Sequence, residues 1–147
     1  MTSAYGHTPL HLACYKGHAS VVQELLDRGA NFTVPSANGN TPLHIACRHN
    51  RRNIVQALLK RGASFTAQDK YGKTPLHILC ERGHMNIVRL LPVKNADLSM
   101  QDNHGKTPLE LAGDNGHMKI IDLLTSNALL FLTNPPHPIT IKLERND

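Results

Sequence analysis

His11 and Cys14, His44 and Cys47, and His77 and Cys80 form three pairs with the same three-residue spacing. On a helix that spacing puts both side chains on one face, so each pair offers an imidazole nitrogen and a thiolate to an ion such as zinc. Each pair supplies only two of the four ligands that a structural zinc site takes. Neighbouring helices pack about 8–10 Å apart, too far for equivalent pairs to complete one tetrahedral site readily, or for their cysteines to join as disulfides. The expectation is three buried thiols acting as small apolar groups, with no metal and no cofactor.

Other chemistry finds less support. No spacing offers a nucleophile with its base and orienting group, a pair of acids in a pocket, or a phosphate-binding loop. His18, His84 and His117 recur as regularly as the pairs above and are read as structural. Asn31-Phe32-Thr33 matches a glycosylation sequon. The first nine residues, however, carry neither the cationic nor the apolar region of a secretory signal, so the match is read as accidental. The longest aliphatic and aromatic run, from Ala128 to Leu132, is far short of the roughly 20 residues that span a bilayer. The chain is therefore expected not to be an enzyme, to act without membrane or small-molecule substrate, and to reside in the cytoplasm or nucleus.

What positions these residues is a repeat. Thr8-Pro9-Leu10-His11 returns as Thr41-Pro42-Leu43-His44, as Thr74-Pro75-Leu76-His77 and as Thr107-Pro108-Leu109-Glu110, each step 33 residues long. Gly6, Gly39, Gly72 and Gly105 precede the copies in register, and Val21-Val22, Ile54-Val55, Ile87-Val88 and Ile120-Ile121 follow in register. Thr suits a helix N-cap and Pro the first helical position, where its missing N–H costs nothing. Apolar residues at helical spacing then predict a first helix ending at Gly17 and Gly83, and a second ending at Gly29 and Gly62. Between Gly29 and Gly39 an extended arm leads into a turn. Two-turn helices are marginal alone and become stable by stacking on copies of themselves.

The 33-residue period, Gly-x-Thr-Pro-Leu-His-x-Ala, Gly-His and Leu-Leu-x-x-Gly-Ala resemble the ankyrin repeat. The resemblance implies an all-α solenoid of paired antiparallel helices with β-hairpin-like fingers over residues 1–129. Its repeats fall at about 3–35, 36–68, 69–101 and 102–129, and a Pro-containing extension covers 130–147, with a candidate strand at 139–143. Four departures stand out. Asn50-Arg51 replaces Gly-His, and Asn accepts the left-handed turn better than most residues. Leu79 replaces the Ala13 and Ala46 of other copies, Glu110 replaces the repeated His, and Pro92 stands where Leu26 and Leu59 complete the second helix, which should unwind there. The first copy also lacks a polar cap ahead of it, which suggests a segment of something longer.

Composition agrees with a folded domain: the 147 residues are 40% hydrophobic, with 16 Lys and Arg against 11 Asp and Glu, a formal charge of +5. The resemblance implies binding through the finger tips and the exposed edge of each first helix. Those places hold Ala4, Tyr5, His7, Tyr15 and Lys16, then Ala37, Asn38, Asn40, Arg48 and His49. The third copy gives Lys70, Tyr71, Lys73, Glu81 and Arg82, and the fourth gives Asn103, His104, Lys106, Asp114 and Asn115. The set has six cations and two anions, hence +4, and contains all 3 tyrosines of the chain. Tyrosine and arginine are favoured at interface hot spots. The chain is thus expected to be a monomeric, non-catalytic interaction module, an adaptor, scaffold or inhibitor, that binds an acidic protein segment. Nucleic acid or another polyanion on the same basic surface is the competing reading, weakened by the lack of a basic run. A third is the recognition domain of a larger enzyme.

Overall fold

The computed structural model describes residues 3–133. Each repeat begins as the sequence dictates. Thr8, Thr41, Thr74 and Thr107 hold extended backbone, accept the N–H three residues on, and place a proline at the start of the first helix. Four such helices follow: α1 (Pro9–Lys16), α3 (Pro42–Arg48), α5 (Pro75–Arg82) and α8 (Pro108–Asp114). Their antiparallel partners are α2 (Ala19–Asp27), α4 (Arg52–Lys60), α6 (Met85–Val88) and α9 (Met118–Thr133). The first helices stack in the order α1, α3, α5, α8, and the second helices stack behind them. Among the described residues the regular structure is all helical. The candidate strand at 139–143 lies outside the described residues, and α9 runs to Thr133.

The core lies between the two helix layers. Leu10, Leu43 and Leu76, with Cys14, Cys47 and Cys80, are buried from the first layer, and Val22, Val55 and Val88 from the second. Leu79 is also fully buried, so the stack accommodates its extra volume. Val21 differs from its counterparts in the other repeats: it is 47% exposed, whereas Ile54, Ile87 and Ile120 are buried. Each of those three has an earlier repeat stacked beside it.

Asn50 holds φ at 58°, so the left-handed turn survives without glycine. Arg51 also preserves what it replaces. Its Nη2 donates to the Tyr15 carbonyl at 2.8 Å, where His84 Nε2 donates to Arg48 and His117 Nε2 to Glu81, at 3.2 and 3.1 Å.

Pro92 has the expected effect. Helix α6 stops at Val88 after one turn, while α2 and α4 have 9 residues each. Leu90 and Leu91 N–H groups instead reach back three residues, to Ile87 and Val88, in tighter turns. A short helix absent from the sequence reading, α7 (Asn95–Leu98), follows, with the Asp97 carboxylate accepting from the Lys94 N–H at 2.8 Å. Leu91 keeps the core place of Leu58, while Leu59, Phe65, Leu90 and Pro92 line an open groove of about 470 Å³.

Candidate functional site

The fingers are built by backbone bonds rather than by regular strands. Within one finger, Ser36 N–H donates to the Asn40 carbonyl and Gly39 N–H to the Ser36 carbonyl, both at 2.9 Å. Between fingers, Ala37 N–H donates to Tyr5, Lys70 to Asn38 and Asn103 to Tyr71, at 2.8, 2.9 and 2.9 Å. The tips therefore form one continuous row. A short acceptor side chain seals each turn. Asp69 Oδ1 takes the N–H groups of Tyr71 and Lys73, Asp102 Oδ1 those of His104 and Lys106, and Ser3 Oγ those of Tyr5 and His7. Ser36 Oγ accepts from Asn40. The sequence reading passed over these four residues, although each stands five before the repeated threonine.

The repeated histidines lock fingers to helices. Thr8 N–H donates to His11 Nδ1 at 3.0 Å, and His11 Nε2–H donates to the Asn40 carbonyl at 2.9 Å. His44 repeats both bonds with Thr41 and Lys73, and His77 with Thr74 and Lys106. An accepting Nδ1 and a donating Nε2 fix one neutral tautomer. Burial holds all three rings below the ordinary imidazole range, even though the backbone carbonyls pull the other way. With both nitrogens engaged, the His-x-x-Cys pairs are accounted for as structure. Burial also pushes the Cys14 and Cys80 thiols up to about 12 and raises Cys47 likewise. In the fourth copy Glu110 takes over the cap, its carboxylate accepting from Thr107 N–H at 3.0 Å.

The sequence-selected surface residues fall into three rows. Tyr5, Asn38, Lys70, Tyr71 and His104 are exposed on the tips, with Tyr5 at 69% and Tyr71 at 51%. His7, Asn40, Lys73 and Lys106 lie half-buried at the finger bases. Tyr15, Lys16, Arg48, His49, Glu81, Arg82, Asp114 and Asn115 ring the ends of the first helices. Between α1 and α3 these rows enclose a pocket of about 300 Å³. Leu12 and Ile45 form its apolar part, and His7, Tyr15, Asn40, Arg48 and His49 line the rest. Tyr15 meets His49 edge-to-face with centroids 4.7 Å apart. Burial, together with nearby Arg51, Arg48 and Arg82, keeps His49 below the ordinary imidazole range.

The cations of this surface are less available than their number suggests. Lys73 pairs with Glu81 and Lys106 with Asp114, both at 3.0 Å. Arg48 donates to Asn40 Oδ1 at 3.2 Å and lies 3.7 Å from the buried Asp69 carboxylate, a residue outside the selected set. Lys70 sits over the Tyr71 ring, 5.1 Å from its centroid. Among the cations of this set Lys16, Lys70 and Arg82 are left with no ion pair among the described residues; the pairs with Glu81 and Asp114 were already netted in the +4, and Asp69 offsets one more charge, that of Arg48. No group of three or more His, Cys, Asp and Glu side chains among the described residues is disposed to hold a metal ion, and no helix there is long and apolar enough to cross a membrane.

Comparison with known proteins gives a consistent result. A family model described as ankyrin repeats (3 copies) matches residues 1–69 and 63–133. Human oxysterol-binding protein-related protein 1 is 62% identical over 32 residues, a stretch that is 22% of this chain and 3% of that protein. That similarity is the length of one repeat.

Proposed function

The chain belongs to the ankyrin-repeat family of protein–protein interaction modules, and from that premise we propose that it grips an acidic segment of another protein across its fingers and first helices. The observation that carries this reading is the pocket between α1 and α3. It combines an apolar part, Leu12 and Ile45, with the exposed Tyr15 and a rim of Arg48 and His49. An aliphatic or aromatic side chain would enter beside Tyr15, and carboxylates on either side of it would meet Lys16, Lys70 and Arg82. Family members of this kind are typically not catalytic, and the module acts by holding its partner.

Affinity capture from a cytosolic extract, with the wild type beside a Tyr15→Ala/Lys70→Ala/Arg82→Ala variant, identifies the partner as what the variant loses. Its association rate with the captured partner should then fall as salt rises. Replacing two exposed cations of the second helices, Arg52→Ala and Lys119→Ala, removes two charges, as that variant does, and is the control. Equal weakening by that set, or equal affinity for DNA at physiological salt, would make the attraction one of global charge and sink the proposed face.

A further inference from the structure

The rings of His11, His44, His77, His84 and His117 are each held by a backbone carbonyl. His49 differs. Its ring lines the pocket between α1 and α3, edge-on to Tyr15 of α1, and no hydrogen bond ties it among the described residues. Arg48 of its own helix, Arg51 ahead of α4, Arg82 of α5 and His84 ahead of α6 face the ring, and no carboxylate is among them. His7 and His11 line the same pocket, and the Asp69 carboxylate is turned to Arg48. Burial and these cations leave the free His49 ring neutral at pH 7.5.

His49 is also the middle of a row. Lys16 ends α1, His49 caps the C-terminal end of α3 and Arg82 ends α5, on helices that stack in that order. Lys16 and Arg82 are exposed with no ion pair among the described residues, and His49 stands half-buried between them. Neighbouring helices lie about 8–10 Å apart. A polyproline II segment repeats every three residues, or about 9 Å, so carboxylates at every third residue would meet the row in step.

We infer that His49 is the specificity-determining residue of this face, taking up a proton as it receives the middle of three carboxylates spaced three residues apart in the partner segment. This rests on the reading that the face grips an acidic segment. The partner's carboxylate brings the negative charge that no described residue brings to the ring, and the C-terminal end of α3 favours an imidazolium. Binding therefore raises the His49 pKa, and the complex holds more protons than its free parts. Affinity rises as the pH falls through the bound value and levels off below the free one.

The probe is the peptide acetyl-Glu-Leu-Ser-Glu-Ser-Ser-Glu-amide, whose Leu is meant for the pocket and whose carboxyls stay ionised at pH 6 and above. Calorimetry at pH 8.0 and 6.0, in buffers of different ionisation enthalpy, reads affinity and proton uptake together, with circular dichroism to check the fold. The wild type should bind at least about threefold more tightly at pH 6.0 and take up a proton as it does so. His49→Gln should remove both effects, as should Gln in place of the probe's middle Glu. His49→Lys should bind equally at the two pH values, and more tightly than the wild type at pH 8.0. A wild-type affinity indifferent to pH, or a pH dependence that survives His49→Gln, overturns the inference and leaves the acidic-segment reading standing. Failure of the wild type to bind the probe at either pH overturns both.

Discussion

Lys73 Nζ lies 3.0 Å from the Glu81 carboxylate, joining the base of a finger to the far end of the helix it precedes. The same two places hold Lys106 and Asp114 one repeat on, and Asn40 and Arg48 one repeat before. The pairing is a property of the repeat geometry, and it withholds two lysines from any acidic partner.

Glu81→Ala should therefore accelerate association with the partner, because it releases Lys73. Its effect on folding should stay within about 1 kcal/mol, as for other partly exposed pairs. Stopped-flow association and urea titration of the same variant check both halves. A slower association would mean that Glu81 itself contacts the partner.

The histidine locks set a pH dependence. Burial depresses the folded-state pKa of His11, His44 and His77, so below about pH 6.5 the unfolded chain binds more protons than the folded one. Stability present above that pH is lost as the pH falls toward the folded values, by at most about 1.4 kcal/mol per pH unit for each ring. Urea midpoints at pH 7.5, 6.5 and 5.5 should decline in that order, and a flat profile would contradict the locks.

Glycine is required to different degrees in the fingers and after the second helices. At Gly39, with φ at 78°, an added Cβ would stand 2.9 Å from the Lys70 backbone nitrogen in the next finger. At Gly29, with φ at 87°, it would meet nothing within 4 Å. Gly29→Ala should cost about 1–2 kcal/mol of backbone strain alone, and Gly39→Ala distinctly more. Thermal melts of the two variants give the comparison.

Leu43→Ala, in an interior repeat, should destabilise by about 2–5 kcal/mol, against no more than about 0.5 for Lys70→Ala. Equal costs in chemical denaturation would disprove the assignment of core and surface.

Backbone amides of Arg89–Asn95 should exchange faster than those of Gln56–Gly62, their equivalents one repeat earlier. The helix that protects the earlier segment is replaced after Val88 by isolated turns. Equal protection would show that Leu91 restores the packing in full.

Much of the fold was legible because a period of 33 averages over local noise. The threonine caps, the left-handed turn at Asn50 and the unwinding at Pro92 all follow from single-residue stereochemistry. The candidate site was legible only as positions. Which of its lysines are free was not legible, because an ion pair such as Lys73 with Glu81 spans eight residues, matching neither the helix nor the strand period, and its net charge was overcounted by the one that Asp69 offsets at Arg48. Asp69 was missed for a related reason: its role lies in taking two backbone N–H groups of a turn, while its second oxygen faces Arg48. Arg51 concealed its role by type, since a guanidinium reaches the carbonyl that an imidazole reaches elsewhere. Helix α7 arises only because Pro92 frees the chain to start again.

The bonds from His11 to Asn40, His44 to Lys73 and His77 to Lys106 all point toward higher residue numbers and end on main-chain oxygen. A main-chain acceptor is indifferent to side-chain identity, so any finger base can receive any histidine of the series. Removing residues 36–68 as a block would bring His11 to the Lys73 carbonyl, with the lock re-formed. Removing one residue from a finger would leave two locks out of step. For the gene that encodes this chain, loss or gain of a whole unit is thus a gentler event than a one-codon deletion inside it, and the solenoid can change length while its surface residues diversify independently.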